Sequence, residues 1–200
     1  MSKPDIHRLL DLQLFMLQFR DIERVVYMPH KTEQRENDVE HSYSLAMMAW
    51  FLAQYFPNLN KDRLIRYAMV HDLVEVHAGD TYVFAQDESI STKAERERAA
   101  LEQIKKDWPD FPELTQEIET YEAKKDEESK FIYALDKIMP IMLNYLGKGH
   151  GWHKHQVTIE VLHQNKKDKV SVSPAINDYY NQLYALLRQN PGFFPSAKED

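Results

Sequence analysis

The chain has no cysteine. That absence excludes disulfides, thiolate nucleophiles and thiolate zinc sites together, and it fits a reducing compartment. Glycine is scarce, with five residues in 200, and segments with the two-residue alternation of a strand are hard to find. The expectation is therefore an all-α fold. No apolar run approaches transmembrane length, and the first residues, Met1 to Asp5, lack the apolar core of a secretion signal. The protein is expected in the cytoplasm, away from membranes. The formal net charge is −7 and no block of lysine and arginine occurs, so extended nucleic acid is a poor partner. A small anionic ligand stays compatible, because a bound divalent cation would dominate the local field.

What is present is a series of helical patterns. Ile6, Leu9, Leu10, Leu14 and Leu17 give an amphipathic helix over residues 5–19. Residues 20–37 are polar, carry Pro29 and read as a loop, with a short extended piece at Val25-Val26-Tyr27. Asp38 is placed as the N-cap of a helix reaching Phe56, and Asn60 as the cap of one running to Gly79. Further helices are expected near 92–107, 113–123 and 126–146, the last with a kink at Pro140. Gly147 to Gly151 reads as a flexible loop, followed by helices at 152–164 and 174–189. No repeat or composition shift marks a second domain. The expectation is one domain over 1–200, with its core in 10–145, C-terminal helices in 152–189 and a loose tail at 190–200.

Four residues interrupt apolar helix faces: His41, His71, Asp72 and Asp136. Burying such groups is costly unless they are paired or hold a cation. Two imidazoles and two carboxylates make a mixed nitrogen and oxygen cage, suited to one divalent ion such as Mn, Co, Fe, Ni or Zn. Four protein ligands on an octahedral ion leave positions for water and substrate, the mark of a catalytic rather than a structural site. Glu75 follows Asp72 by three residues and faces the same side. Asp80 follows Gly79, which frees it from the helix.

These residues resemble a known family. Val39-Glu40-His41-Ser42, His71-Asp72-x-x-Glu75-Val76-x-x-Gly79-Asp80 and Leu135-Asp136-Lys137 are similar to the HD-domain metal-dependent phosphohydrolases, in the branch that contains the 5′-deoxynucleotidases. The resemblance implies a helical bundle forming a single HD domain, with His41, His71, Asp72 and Asp136 as metal ligands. It makes Glu75 the acid/base group and Asp80 its partner in positioning water. The implied reaction releases phosphate from nucleoside or deoxynucleoside 5′-monophosphates. The family's phosphate-binding arginine aligns with Arg24. Val25 stands where the family has a tryptophan that disfavours a ribose 2′-hydroxyl, so preference for deoxyribose does not carry over. Tyr82 and Phe84 are candidates for stacking on a base. The resemblance also allows a homodimer.

Other features have plainer readings. The group His150, Trp152, His153 and His155 lacks carboxylates and is expected as a solvated loop. Met47, Met48 and Met69 are expected to fill the core, His77 to end a helix, and Lys93, Arg96 and Arg98 to form a solvated face. Between Asp72 and Asp136 the only histidine is His77, which argues against a second metal. The alternatives to a nucleotidase are a nucleotide sensor with little turnover and a phosphodiesterase acting on another phosphate ester.

Overall fold

Short polar side chains start five of the helices, each accepting a backbone N–H that the first turn leaves unbonded. The computed structural model describes residues 3–79 and 88–195. Asp5 caps α1 (Ile6–Arg20), Asn60 caps α3 (Lys61–Val70), Asp126 caps α7 (Glu127–Leu146) and Thr158 caps α9 (Ile159–Val170). Asn37 caps α2 (Asp38–Ala53), and Glu40 reaches back to the Asn37 N–H in a reciprocal box. The cap thus lies one residue before the expected Asp38. Asp38 is instead the first residue of the helix, with its side chain buried.

Between α1 and α2 lies a two-stranded antiparallel hairpin, β1 (Glu23–Met28) and β2 (Lys31–Asn37), with Glu23 opposite Asn37 and Tyr27 opposite Arg35. The sequence reading expected a loop here. β2 reads Lys-Thr-Glu-Gln-Arg-Glu-Asn and carries no apolar alternation, so nothing in it announces a strand. The hairpin packs on α7 and α2 and closes one side of the site.

The expected single helix from Asn60 to Gly79 is broken. α3 ends at Val70, residues 71–74 form a turn, and α4 (Glu75–Ala78) is a single turn ending at Gly79, whose φ of 74° lies in the left-handed region. α5 (Glu88–Asp107) and α6 (Pro112–Ala123) follow. α7 continues through Pro140, which offers no N–H to the Asp136 carbonyl one turn back.

Of the segment expected as a glycine loop, residues 147–149 form a turn and the last two residues already belong to a helix: α8 spans His150–His155 and α9 follows. Gly149 is required there. Its φ is 80°, and an added Cβ would stand 1.8 Å from the Phe193 carbonyl oxygen. Trp152 is buried and stacks on Phe194, with centroids 4.5 Å apart, and Tyr27 packs against His150 and His155. After α10 (Pro174–Arg188), residues 191–195 are thus held against α8, where a loose tail was expected.

Two apolar cores flank the site. The larger gathers Leu45, Leu64, Tyr67, Phe131, Leu135 and Tyr180 between α2, α3, α7 and α10. The smaller gathers Phe15, Phe19, Leu73, Val74, Ile104 and Trp108. The 71–74 turn is the seam, because Leu73 and Val74 anchor it in the smaller core. Truncating either to alanine would cost about 2–4 kcal/mol.

The leucine stripe expected to bury α1 faces outward instead. Ile6, Leu9, Leu10, Leu14 and Leu17 are exposed, and Phe15 and Phe19 make the contact. Met47 and Met69, expected in the core, are exposed as well, and Met48 is half-buried. Among the described residues, no helix is long and apolar enough to cross a membrane.

Candidate metal centre

Three separate elements deliver the four metal candidates. His41 lies one turn into α2, His71 and Asp72 lie on the turn after α3, and Asp136 lies in the middle of α7. His41, His71 and Asp136 are almost wholly buried, and Asp72 is partly buried. One ligand atom from each of the four falls within 4.8 Å of all the others, a spread that one cation can bridge.

The imidazoles are oriented for that task. His71 Nδ1 lies 3.0 Å from the Ala68 carbonyl oxygen. A carbonyl only accepts, so Nδ1 carries the proton and the Nε2 lone pair is directed into the cluster. That Nε2 is buried without a hydrogen bond, 2.9 Å from Asp72 Oδ2 but out of alignment with it. His41 Nε2 lies 3.0 Å from Asp136 Oδ1, and its Nδ1 lies 3.3 Å from Glu36 Oε2, close enough for a charge contact but out of hydrogen-bond alignment. Burial and Arg24 push the His41 pKa down, but Asp136 and Glu36 outweigh them and raise it to about 9. His41 Nε2 and Asp136 Oδ1 thus face each other at a distance where one cation could take both as ligands.

The charge balance favours a cation. Glu36, Asp38, Asp72, Glu75 and Asp136 supply five carboxyl groups, and the permanent compensating charges bonded to them are Arg24 and Lys137. Five minus two leaves three, which a divalent ion on a neutral His41 would reduce to one. Arg24 Nη1 donates to Asp72 Oδ2 at 2.6 Å and to Asp38 Oδ1 at 3.1 Å. Lys137 Nζ donates to Asp136 Oδ2 at 2.5 Å. Burial raises the Asp72 and Asp136 pKa values, but His71 and Arg24 at Asp72, and Lys137 and His41 at Asp136, prevail and hold both well below the usual carboxylate range. Both are anionic at neutral pH and available as ligands.

Glu75 is 3% exposed, and its carboxylate lies within 4.8 Å of those of Asp38 and Asp72. It sits beside the four-residue cluster, in reach of a water there. Asp80, Tyr82 and Phe84 lie outside the described residues. The sequence reading missed Glu36 and Asp38, whose only local signal is position: both lie within five residues of His41. It also took Arg96 for a solvated residue, whereas its guanidinium donates to the Ala78 carbonyl and ties α5 to the end of α4. Lys93 pairs with Glu97 at 3.1 Å and also feels the charges of Glu75 and Asp72.

A helical scaffold that gathers two histidines and two aspartates, with a buried glutamate alongside, defines a metal-centre fold of hydrolase type. Residues 16–177 match the sequence model of the HD domain family, and this chain belongs to that family. It is 34% identical over 129 residues to the mouse (Mus musculus) 5′-deoxynucleotidase HDDC2, covering 62% of each chain. To the bovine (Bos taurus) protein of the same name it is 31% identical over 144 residues, covering 71% of this chain and 69% of that one. The mouse match thus spans less than two thirds of that relative. The crystal structure of a predicted metal-dependent phosphohydrolase from Magnetospirillum magnetotacticum MS-1 superposes with a TM-score of 0.78 at 28% identity, covering 94% of this chain and 96% of that one.

Proposed function

We propose that this protein is a metal-dependent phosphomonoester hydrolase that releases phosphate from nucleoside and deoxynucleoside 5′-monophosphates. The observation that carries the reading is the convergence of His41, His71, Asp72 and Asp136 with a buried carboxylate, Glu75, beside them. The relatives named as 5′-deoxynucleotidases support the substrate class.

His41, His71, Asp72 and Asp136 would hold one divalent ion of the Mn, Co, Fe, Ni or Zn group. Such an ion supplies Lewis acidity and makes water acidic enough to attack near neutral pH. Glu75 takes a proton from the attacking water as the new P–O bond forms. It returns a proton to the departing 5′-oxygen as the P–O5′ bond breaks. Asp80 positions that water with Glu75, a role that rests on the sequence pattern. Arg24 and Lys137 face the phosphoryl oxygens and offset their charge. Glu36 sets a carboxylate against the far side of the His41 ring, 3.3 Å from Nδ1.

The test is phosphate release from a panel of ribo- and deoxyribonucleoside 5′-monophosphates by metal-loaded protein, repeated with several divalent ions. Bound metal without release from any substrate would replace the hydrolase with a nucleotide sensor.

Two further readings accompany this one. The exposed apolar faces of α1 and α2, including Leu10, Leu14, Leu17, Met47, Trp50 and Phe51, are covered by a second copy of the chain. Clustered exposed apolar side chains of this kind mark interaction surfaces. Light scattering should give a dimer mass, which Phe51→Glu should reduce to a monomer. The reaction belongs to the cytoplasm, in keeping with a chain free of cysteine.

A further inference from the structure

Beside the metal centre lies a cavity of about 100 Å3, bounded by the hairpin, α7, α8 and α9. Asp136 opens onto it from the metal centre, and three cationic side chains line it: Arg24, Lys137 and Lys166. Lys166 comes from α9, outside the sequence pattern that marks the metal centre. We propose that this cavity is an oxyanion pocket in which Lys166 binds a phosphoryl oxygen of the substrate, and the released phosphate after it.

Three observations carry the assignment. First, Lys166 is only 5% exposed, and among the described residues its ammonium has no hydrogen-bond or ion-pair partner. A buried amine without a partner is costly, and a fold retains it when something outside the chain completes it. Second, the neighbours leave Lys166 unbonded. Arg24 and Lys137 are engaged with carboxylates, and Asp136, the one carboxylate on the cavity wall, acts on Lys166 only at a distance while Lys137, Lys169 and Arg24 repel it. Third, the size suits the ligand. The cavity has room for about three waters at roughly 30 Å3 each, the scale of a tetrahedral oxyanion. Pockets for nucleoside-sized ligands run to about 300 Å3 or more. Burial, followed by the charge of Lys137, lowers the Lys166 pKa to about 7, and a bound dianion would restore its proton.

The inference relies on the proposed hydrolase only for the identity of the oxyanion. Wild type, Lys166→Met and Lys166→Arg are compared in the Mn-loaded form. Inorganic phosphate is titrated by thermal shift, and KM is measured for a nucleoside 5′-monophosphate with the free nucleoside as competitor. Lys166→Met should raise both the phosphate Kd and the KM by about tenfold or more, the loss of one charge-assisted hydrogen bond. It should leave inhibition by the free nucleoside unchanged. Without ligand it should melt about 2–4 °C above wild type, because an unpaired buried amine has gone. Lys166→Arg should recover much of the phosphate response. An unchanged phosphate Kd in a folded Lys166→Met protein would overturn the assignment. So would a loss confined to the free nucleoside, which would make the cavity a base pocket. If wild type releases no phosphate from any monophosphate, the hydrolase reading fails, and the phosphate titration still decides Lys166.

Discussion

The two walls of the reaction site differ in how the chain builds them. The acidic wall comes from α2, the 71–74 turn, α4 and one residue of α7, and most of its members fall in two short clusters, Asp38 with His41 and His71-Asp72 with Glu75. The cationic wall comes from β1, α7 and α9, with Arg24, Lys137 and Lys166 spread over 142 positions (166 − 24). Metal ligation demands fixed residue types at fixed offsets, because each ligand atom must meet one point. Holding a phosphate needs only positive charge at about the right distance, which any element passing nearby can supply. The first kind of wall leaves a motif; of the second, Arg24 and Lys137 lie within the family pattern and Lys166 leaves no signal.

If the acidic wall is the metal centre, the largest effect comes from removing a ligand there. His71→Ala deletes the imidazole whose Nε2 is directed into the cluster. Bound metal should fall below stoichiometry by elemental analysis. Phosphate release should drop by about a thousandfold or more, several kcal/mol of transition-state stabilisation. Activity at the wild-type rate would remove His71 from the site.

Next comes Glu75→Gln. The carboxylate is buried beside Asp72 but contributes no atom to the four-ligand set. Metal content should therefore stay at wild type while kcat falls by about 10²–10⁴. A parallel loss of metal would make Glu75 a ligand and not a proton carrier.

A smaller effect is expected at Glu36, which supports a ligand without being one. Glu36→Gln keeps the shape but weakens the hold on His41 Nδ1, 3.3 Å away. Metal affinity should fall by about 10–100-fold, with kcat recovering at saturating metal. Metal titration separates this from a catalytic defect.

Glu36 also marks where sequence reading stopped. His41, His71, Asp72 and Asp136 were legible because each breaks an apolar helix face, and the structure brings all four together. The helical character and most of the helices were legible from period and caps. The hairpin was not, since β2 has polar residues on both faces and one of those faces looks into a charged site. The core-facing side of α1 was not legible either. That helix has apolar residues nearly all round, and only the position of its neighbours decides that Phe15 and Phe19 turn inward. Lys166 was invisible for a third reason: a lysine in a polar C-terminal helix reads as solvated, and only tertiary packing buries it.

The smallest effect tests the cationic wall through stability instead of turnover. A lysine in the unfolded chain titrates near 10.5, whereas Lys166 in the fold titrates at about 7. Between those values the unfolded state holds a proton that the folded state lacks, so Lys166 makes stability rise with pH across that window. Below the lower value both states are protonated, and its destabilising effect is constant and largest. The groups that set this behaviour are Lys137 and Asp136 from α7, Lys169 from its own helix and Arg24 from the hairpin. Lys166→Met removes the titration and leaves the other groups in place. In urea denaturation without phosphate, the advantage of Lys166→Met over wild type should therefore be greatest near pH 6 and shrink steadily towards about pH 10. Saturating phosphate should reduce that advantage at the low-pH end, because the anion stabilises the protein that retains the ammonium more than the one that has lost it. An advantage that does not vary with pH would mean that Lys166 stays protonated in the fold. The cationic wall would then hold three permanent charges in wait for an anion.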